Sequence, residues 1–119
     1  MEEGDSYSVV HETLSWGELL RVDGELDIAV AEQFSAAIQK QLLGARPVVV
    51  DLSGCTYLDS TILNVLVRAS NAAPDRLGVI VPEASRVRKL FKITNLEVPL
   101  RLSNSRDDVR SHFDSAAAP

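Results

Sequence analysis

Two adjacent hydroxyls, Ser60 and Thr61, follow the acid Asp59 at the end of a run that begins Val48-Val49-Val50-Asp51-Leu52-Ser53. A β-branched apolar run that gives way to a polar loop and then to Asp-Ser-Thr reads as a strand, a loop and a helix start. Hydroxyls in a first helical turn are poor nucleophiles without a neighbouring base, and neither His11 nor His112 lies near them in sequence. They are good phosphate acceptors, because a phosphate there meets backbone N–H groups and the positive end of the helix dipole. The plainer reading is that Asp, Ser and Thr are what any helix N-terminus prefers. The chemistry on offer is therefore a capped helix start that could be switched by a phosphate, a property of a binding module rather than an enzyme. At ~100° per residue, Ser60 and Thr61 lie about equally far from the stripe Asn64, Arg68, Asn71, so the helical wheel does not choose between them.

Other candidates carry less. Asp51 ends an apolar strand, as the phosphorylated Asp of a receiver domain does. No acidic pair follows the first strand and no Lys follows Leu77–Val81, so Asp51 is expected to bond the amides of its own loop. Cys55 is the one cysteine: it cannot form an internal disulfide and reads as a small buried hydrophobe. No His, Cys or carboxylate spacing suits a metal, and no glycine-rich loop suits a nucleotide cofactor. Arg86, Arg88, Lys89 and Lys92 form a basic run expected to be a solvated face. Trp16 is expected to pack locally at a hairpin tip.

The elements that must position Asp59–Thr61 emerge from periodicity. Tyr7–Thr13 and Glu18–Asp23 are expected as an antiparallel hairpin turning at Ser15-Trp16-Gly17, with Gly24-Glu25-Leu26-Asp27 breaking the second strand. Asp27 is the expected N-cap of a helix reaching Leu43, with Val30, Phe34, Ile38 and Leu42 on its inner stripe. The apolar Val48–Leu52 is expected as a strand buried on both faces. A helix over 60–73 is expected to be apolar nearly all round, followed by the strand Leu77–Val81 and a helix from Pro82 to Thr94. Val87, Leu90, Phe91 and Thr94 should form the inner face of that helix, with Asn95 as a left-handed C-cap. Leu100–Leu102 is expected as an edge strand and Ser105–Phe113 as a last helix with Val109 and Phe113 inward. The pattern predicts one α/β domain over residues 6–114, with a mixed, mostly parallel sheet flanked by about four helices. Residues 1–5 and 115–119 are expected to be flexible.

Composition bounds the function. The 119 residues suffice for one self-supporting core. A net charge of −5 lacks the basic footprint of nucleic-acid binding. No apolar run reaches the length of a membrane span, and the acidic Met1-Glu2-Glu3-Gly4-Asp5 is unlike a signal peptide, so a cytoplasmic protein without membrane insertion is expected.

Three segments together, Gly24-Glu25-Leu26-Asp27, Val49-Val50-Asp51-Leu52-Ser53-Gly54 and Leu58-Asp59-Ser60-Thr61-Ile62-Leu63-Asn64-Val65-Leu66, resemble STAS domains, specifically bacterial anti-sigma factor antagonists. The similarity spans nearly the whole chain, including Lys92-Ile93-Thr94-Asn95-Leu96. The resemblance implies that Thr61, the second hydroxyl after Asp59, is the phosphate acceptor, with Ser60 the alternative. It implies a partner-binding surface of Asp27, Asp59, Ser60, Thr61, Ile62 and Asn64, and an anti-sigma factor partner that is a serine/threonine kinase of the histidine-kinase-like ATPase fold. A phosphatase would reset the switch, and the chain itself needs no cofactor or metal. Where the family usually has glycine after the acceptor, this chain has Ile62, and a β-branched side chain is expected to stand where a kinase backbone would approach. Two other roles fit such a domain: an unphosphorylated scaffold subunit of a transport assembly, and a sensor of nucleotide or another small ligand.

Overall fold

The computed structural model describes residues 7–117. Five strands form one sheet in the order β1 (Tyr7–Thr13), β2 (Glu18–Leu26), β3 (Val48–Leu58), β4 (Leu77–Ile80), β5 (Leu102–Ser103). The β1–β2 pair is the expected antiparallel hairpin, and β2 through β5 run parallel. Four helices connect or follow them: α1 (Ala31–Leu42), α2 (Ser60–Ala72), α3 (Arg88–Ile93) and α4 (Arg106–Ala117).

The central strands β3, over Val48–Leu52, and β4 are buried on both faces because both faces are covered. One face carries the main core: Leu20, Val22, Val50, Leu52 and Val79 meet Phe34 and Ile38 of α1, Ile62 and Leu66 of α2, and Phe91 of α3. The other carries a smaller cluster of Leu19, Val49 and Ile80 under Val109 of α4, with Trp16 and Phe113 at its margin. Gly78 makes this second layer possible, since a Cβ there would come within 2.5 Å of Val109 Cγ2. Trp16 stacks obliquely on Phe113 at 6.0 Å, so it packs on α4 across the sheet rather than locally at the hairpin tip as expected. Leu66 is fully buried, so Leu66→Ala should cost roughly 2–5 kcal/mol in a denaturant titration. A loss below about 1 kcal/mol would misplace the inner face of α2.

The structure corrects the expected element bounds in physically instructive ways. Neither Gly24 nor the segment after Leu52 ends a strand: β2 continues to Leu26 and β3 to Leu58. Their register shifts twice, between Arg21 and Asp23 and between Gly24 and Glu25, each time leaving one extra residue in β3. Those bulges bring Leu52, Cys55 and Leu58, spaced by three, back to the core face in turn. Period-two reading therefore mistakes the stretch for a loop. Gly54 at one bulge leaves room for the Asp23 carboxylate, which a Cβ there would meet at 1.7 Å and push aside. Gly24 supplies the other with φ of 96°.

Two helices differ as well. The segment after Pro82 makes successive turns before a short α3 that begins only at Arg88. Arg88 is not on a solvated face: it is buried, bonded to Glu97 at 2.8 Å and to the Val81 carbonyl, and it ties α3 to the end of β4. Thr94, expected inside, is exposed. Asn95 does adopt the left-handed conformation, φ 59°, and Leu96 N–H bonds back to the Phe91 carbonyl at 2.9 Å, closing the helix as expected. The edge strand is Leu102–Ser103 rather than 100–102. α4 continues through Ala117, so residues 115–117 are helical rather than a free end, whereas the expected flexible segments 1–5 and 118–119 lie outside the described residues.

Candidate functional site

The register pairs Leu26 with Leu58 across β2 and β3. Each of these leucines is buried and each is followed by an aspartate, so Asp27 and Asp59 emerge side by side at the C-terminal edge of the parallel strands. This is the edge at which open α/β sheets place their ligand sites. Both aspartates serve as N-caps. Asp27 Oδ1 accepts from Ala29 N–H at 3.0 Å, at the start of a single 3-10 turn over Ile28–Val30 that leads into α1. Asp59 Oδ1 accepts from Thr61 N–H at 3.0 Å and Ile62 N–H at 3.3 Å, opening α2.

The second cap changes the expectation for a phosphate. The N–H groups of the second and third helical residues are already satisfied by Asp59, and its carboxylate sits beside the hydroxyls. A phosphate here does not find a vacant amide cradle at these two positions. It finds a capped helix with a negative neighbour.

The two hydroxyls differ in setting. Ser60 is exposed, whereas Thr61 is partly covered and lines the mouth of a groove of about 480 Å³ between α1 and α2. The floor of that groove is apolar, from Ala31, Ile38, Val65 and Ala69, and Glu32 and Arg68 are its charged residues. Asn64, Arg68 and Asn71 form the exposed stripe that the spacing predicts.

Ile62 does not belong with the exposed residues of the expected partner surface. Its side chain is fully buried in the main core, pointing away from the face that Ser60 and Asn64 present. The reason is angular: ~100° per residue turns position 62 inward as 61 and 64 turn outward. The branched side chain is therefore no obstacle above Thr61. Two exposed apolar residues that sequence reasoning passed over lie near the caps in sequence: Ile28, 72% exposed next to Asp27, and Tyr57, 50% exposed two residues before Asp59. Ile28 could have been found as the one large apolar residue next to the Asp27 cap that falls off the Val30–Leu42 stripe. Tyr57 gives no comparable signal, because the bulge that turns it outward is invisible in the sequence.

Among the described residues no histidine adjoins the hydroxyls, and the nearby Asp59 carboxylate has its Oδ1 committed to the helix cap. His11 is bonded to Glu18 at 2.7 Å, near the β1–β2 turn at the far end of the sheet. His112 lies on α4, across the sheet, 3.4 Å from Ser103 Oγ. Asp51 accepts from Ser53 N–H at 2.9 Å and Ser53 Oγ at 2.6 Å, the loop-bonding role expected of it, although within β3. The Cys55 thiol is buried, and burial pushes its pKa up to about 11, so it stays protonated and weakly nucleophilic at neutral pH. Among the described residues no cluster of His, Cys, Asp and Glu could hold a metal ion, and no helix is long and apolar enough to cross a membrane.

A five-stranded mixed sheet flanked by four helices, with two hydroxyls at a capped helix start on its C-terminal strand edge, defines a small α/β module. The chain belongs to the STAS family: the family model described as "Mlab, STAS domain" matches residues 16–102. A STAS-domain-containing protein of Pseudomonas aeruginosa is 29% identical over 86 residues, covering 71% of this chain and 85% of that one. The fold is that of solved anti-sigma factor antagonists. One from Mycobacterium paratuberculosis superposes with a TM-score of 0.83 at 23% identity, over 96% of this chain and 99% of that one. SpoIIAA in its unphosphorylated form superposes with a TM-score of 0.68 at 20% identity, over 94% of this chain and 100% of that one.

Proposed function

We propose that this STAS domain is an anti-sigma factor antagonist, switched off by phosphorylation of Thr61. Unphosphorylated, it binds a kinase-type anti-sigma factor through Asp27, Asp59, Ser60, Thr61 and Asn64, with the exposed Ile28 and Tyr57 as apolar anchors, and so frees a sigma factor. The observation that carries this reading is the setting of Thr61: a partly covered hydroxyl in the first turn of α2, with no histidine beside it and the Asp59 Oδ1 committed to the cap. Such a hydroxyl needs an external catalyst to react. The kinase supplies ATP and the base. The Thr61 oxygen attacks the γ-phosphorus, ADP leaves, and the hydroxyl proton passes to the kinase. The chain itself is not an enzyme, and a phosphatase reverses the modification.

Phosphate adds about −1.5 to −2 charges at pH 7, next to the Asp59 carboxylate. The fold tolerates this because the site is at the surface, where water can solvate the phosphate. The interface does not, because the added charge must be desolvated against the partner.

The test is to incubate the protein with ATP and each histidine-kinase-like anti-sigma factor of its own organism, and to map the phosphate by mass spectrometry. Phosphate should appear on Thr61, persist in Ser60→Ala and vanish in Thr61→Ala. Phosphate mapped to Ser60, or unchanged incorporation into Thr61→Ala, would refute the assignment. Tight binding without any phosphate transfer would favour the unphosphorylated scaffold role instead.

A further inference from the structure

A phosphate on Thr61 would sit next to carboxylates, and the groove that Thr61 lines also holds a cation. The helix start does not serve, since Asp59 Oδ1 already occupies the N–H groups of Thr61 and Ile62 and brings a carboxylate beside the phosphate. Asp27 stands at the end of the adjoining strand, and Glu32 faces the same groove from α1. Three carboxylates thus surround the position.

Arg68 is the one basic residue lining the groove that Thr61 also lines. The two are seven residues apart on α2, which returns a helix to the same face within ~20°. The axial separation is ~10 Å at ~1.5 Å per residue. Helical side chains lean toward the N-terminus, so the long Arg68 side chain leans along the groove toward Thr61 rather than away from it. Arg68 is exposed, and among the described residues it makes no ion pair or side-chain hydrogen bond, even to Glu32. A guanidinium held on the correct face with no structural partner is free to take a phosphate, for which its planar fork is well suited.

We propose that Arg68 is the internal counterion of phosphorylated Thr61, drawing the phosphate into the mouth of the α1–α2 groove and away from Asp59. This rests on Thr61 being the acceptor and adds how the modified state is held. The domain then carries its own phosphate receiver at the groove mouth, bordering the partner surface, and a docking partner must desolvate that ion pair.

The experiment needs no kinase. Phosphothreonine is incorporated at position 61 during translation, and the phosphate is titrated by 31P NMR in otherwise wild-type protein, Arg68→Gln, Arg68→Lys and Lys89→Gln. A nearby cation favours the dianion, so the wild-type midpoint should lie lower than that of Arg68→Gln by about half a pH unit or more. Asp27, Glu32 and Asp59 are present in all four proteins, and a phosphate that falls back toward Asp59 in Arg68→Gln shifts the midpoint further in the same direction. Arg68→Lys should retain part of the effect, and Lys89→Gln, on α3, should match wild type. The Arg68 side-chain N–H resonance should also move when wild-type protein carries the phosphate. Equal midpoints in wild type and Arg68→Gln, or an Arg68 resonance that stays put, would overturn the proposal. The acceptor assignment is tested separately by the kinase mapping, so a failed clamp and a wrong acceptor give different results.

Discussion

Replacing Ile62 with glycine should cost the domain roughly 3–6 kcal/mol of stability, the largest loss expected of any change near the site. The resemblance to STAS domains suggests the opposite, that glycine after the acceptor would restore an open docking surface. The structure places the Ile62 side chain in the main core with no exposure, against the sheet and beside Leu66 in the inward face of α2. Deleting such a side chain to alanine costs roughly 2–5 kcal/mol in lost burial and residual cavity. Glycine in a helix adds about 1 kcal/mol over alanine. Against a typical domain stability of about 5–15 kcal/mol, the variant should melt many degrees lower or be partly unfolded at about 37 °C. Thermal and urea unfolding measure this directly. A loss under about 1 kcal/mol would show that Ile62 does not fill the core and would return it to the partner surface.

The second large effect is on binding. Thr61→Glu should weaken the complex with the anti-sigma factor on the order of 100-fold, because a charge forced into the interface beside Asp59 costs several kcal/mol. Its melting temperature should stay close to wild type. A negative charge in the first turn of α2 is worth only ~0.3–1 kcal/mol and is favourable in sign, and the neighbouring cap offsets part of it. Asn71→Glu, at the far end of the same exposed stripe, should leave the affinity unchanged and so controls for charge alone. An unaltered affinity in Thr61→Glu, measured by calorimetry, would remove Thr61 from the interface.

Most of the architecture could be read from the chain because its signals are local. Asp59 caps α2 as the Asp-Ser-Thr pattern implies, and the Phe34 and Ile38 stripe of α1 is buried as its spacing implies. What could not be read depends on pairing between distant segments. The bulges that extend β3 to Leu58 arise from its register with β2, and they alone decide that Cys55 faces inward and Tyr57 outward. The burial of Arg88 depends on Glu97 and the Val81 carbonyl arriving from either side of α3, which no helical wheel reports. At the candidate site, the neighbourhood of Asp27 and Asp59 required the β2–β3 register, and the groove shared by Thr61 and Arg68 required α1 to lie alongside α2. Ile62 departs from its expected place for a simpler reason: a position next to the acceptor in sequence lies about 100° from it around the helix.

The switch is tested most directly by one comparison, the affinity of the anti-sigma factor for the protein before and after phosphorylation of Thr61, measured calorimetrically on the same preparation. The unmodified protein should bind and the phosphorylated protein should bind roughly 100-fold more weakly, with both forms melting at nearly the same temperature. Equal affinities, or tighter binding of the phosphorylated form, would contradict the switch.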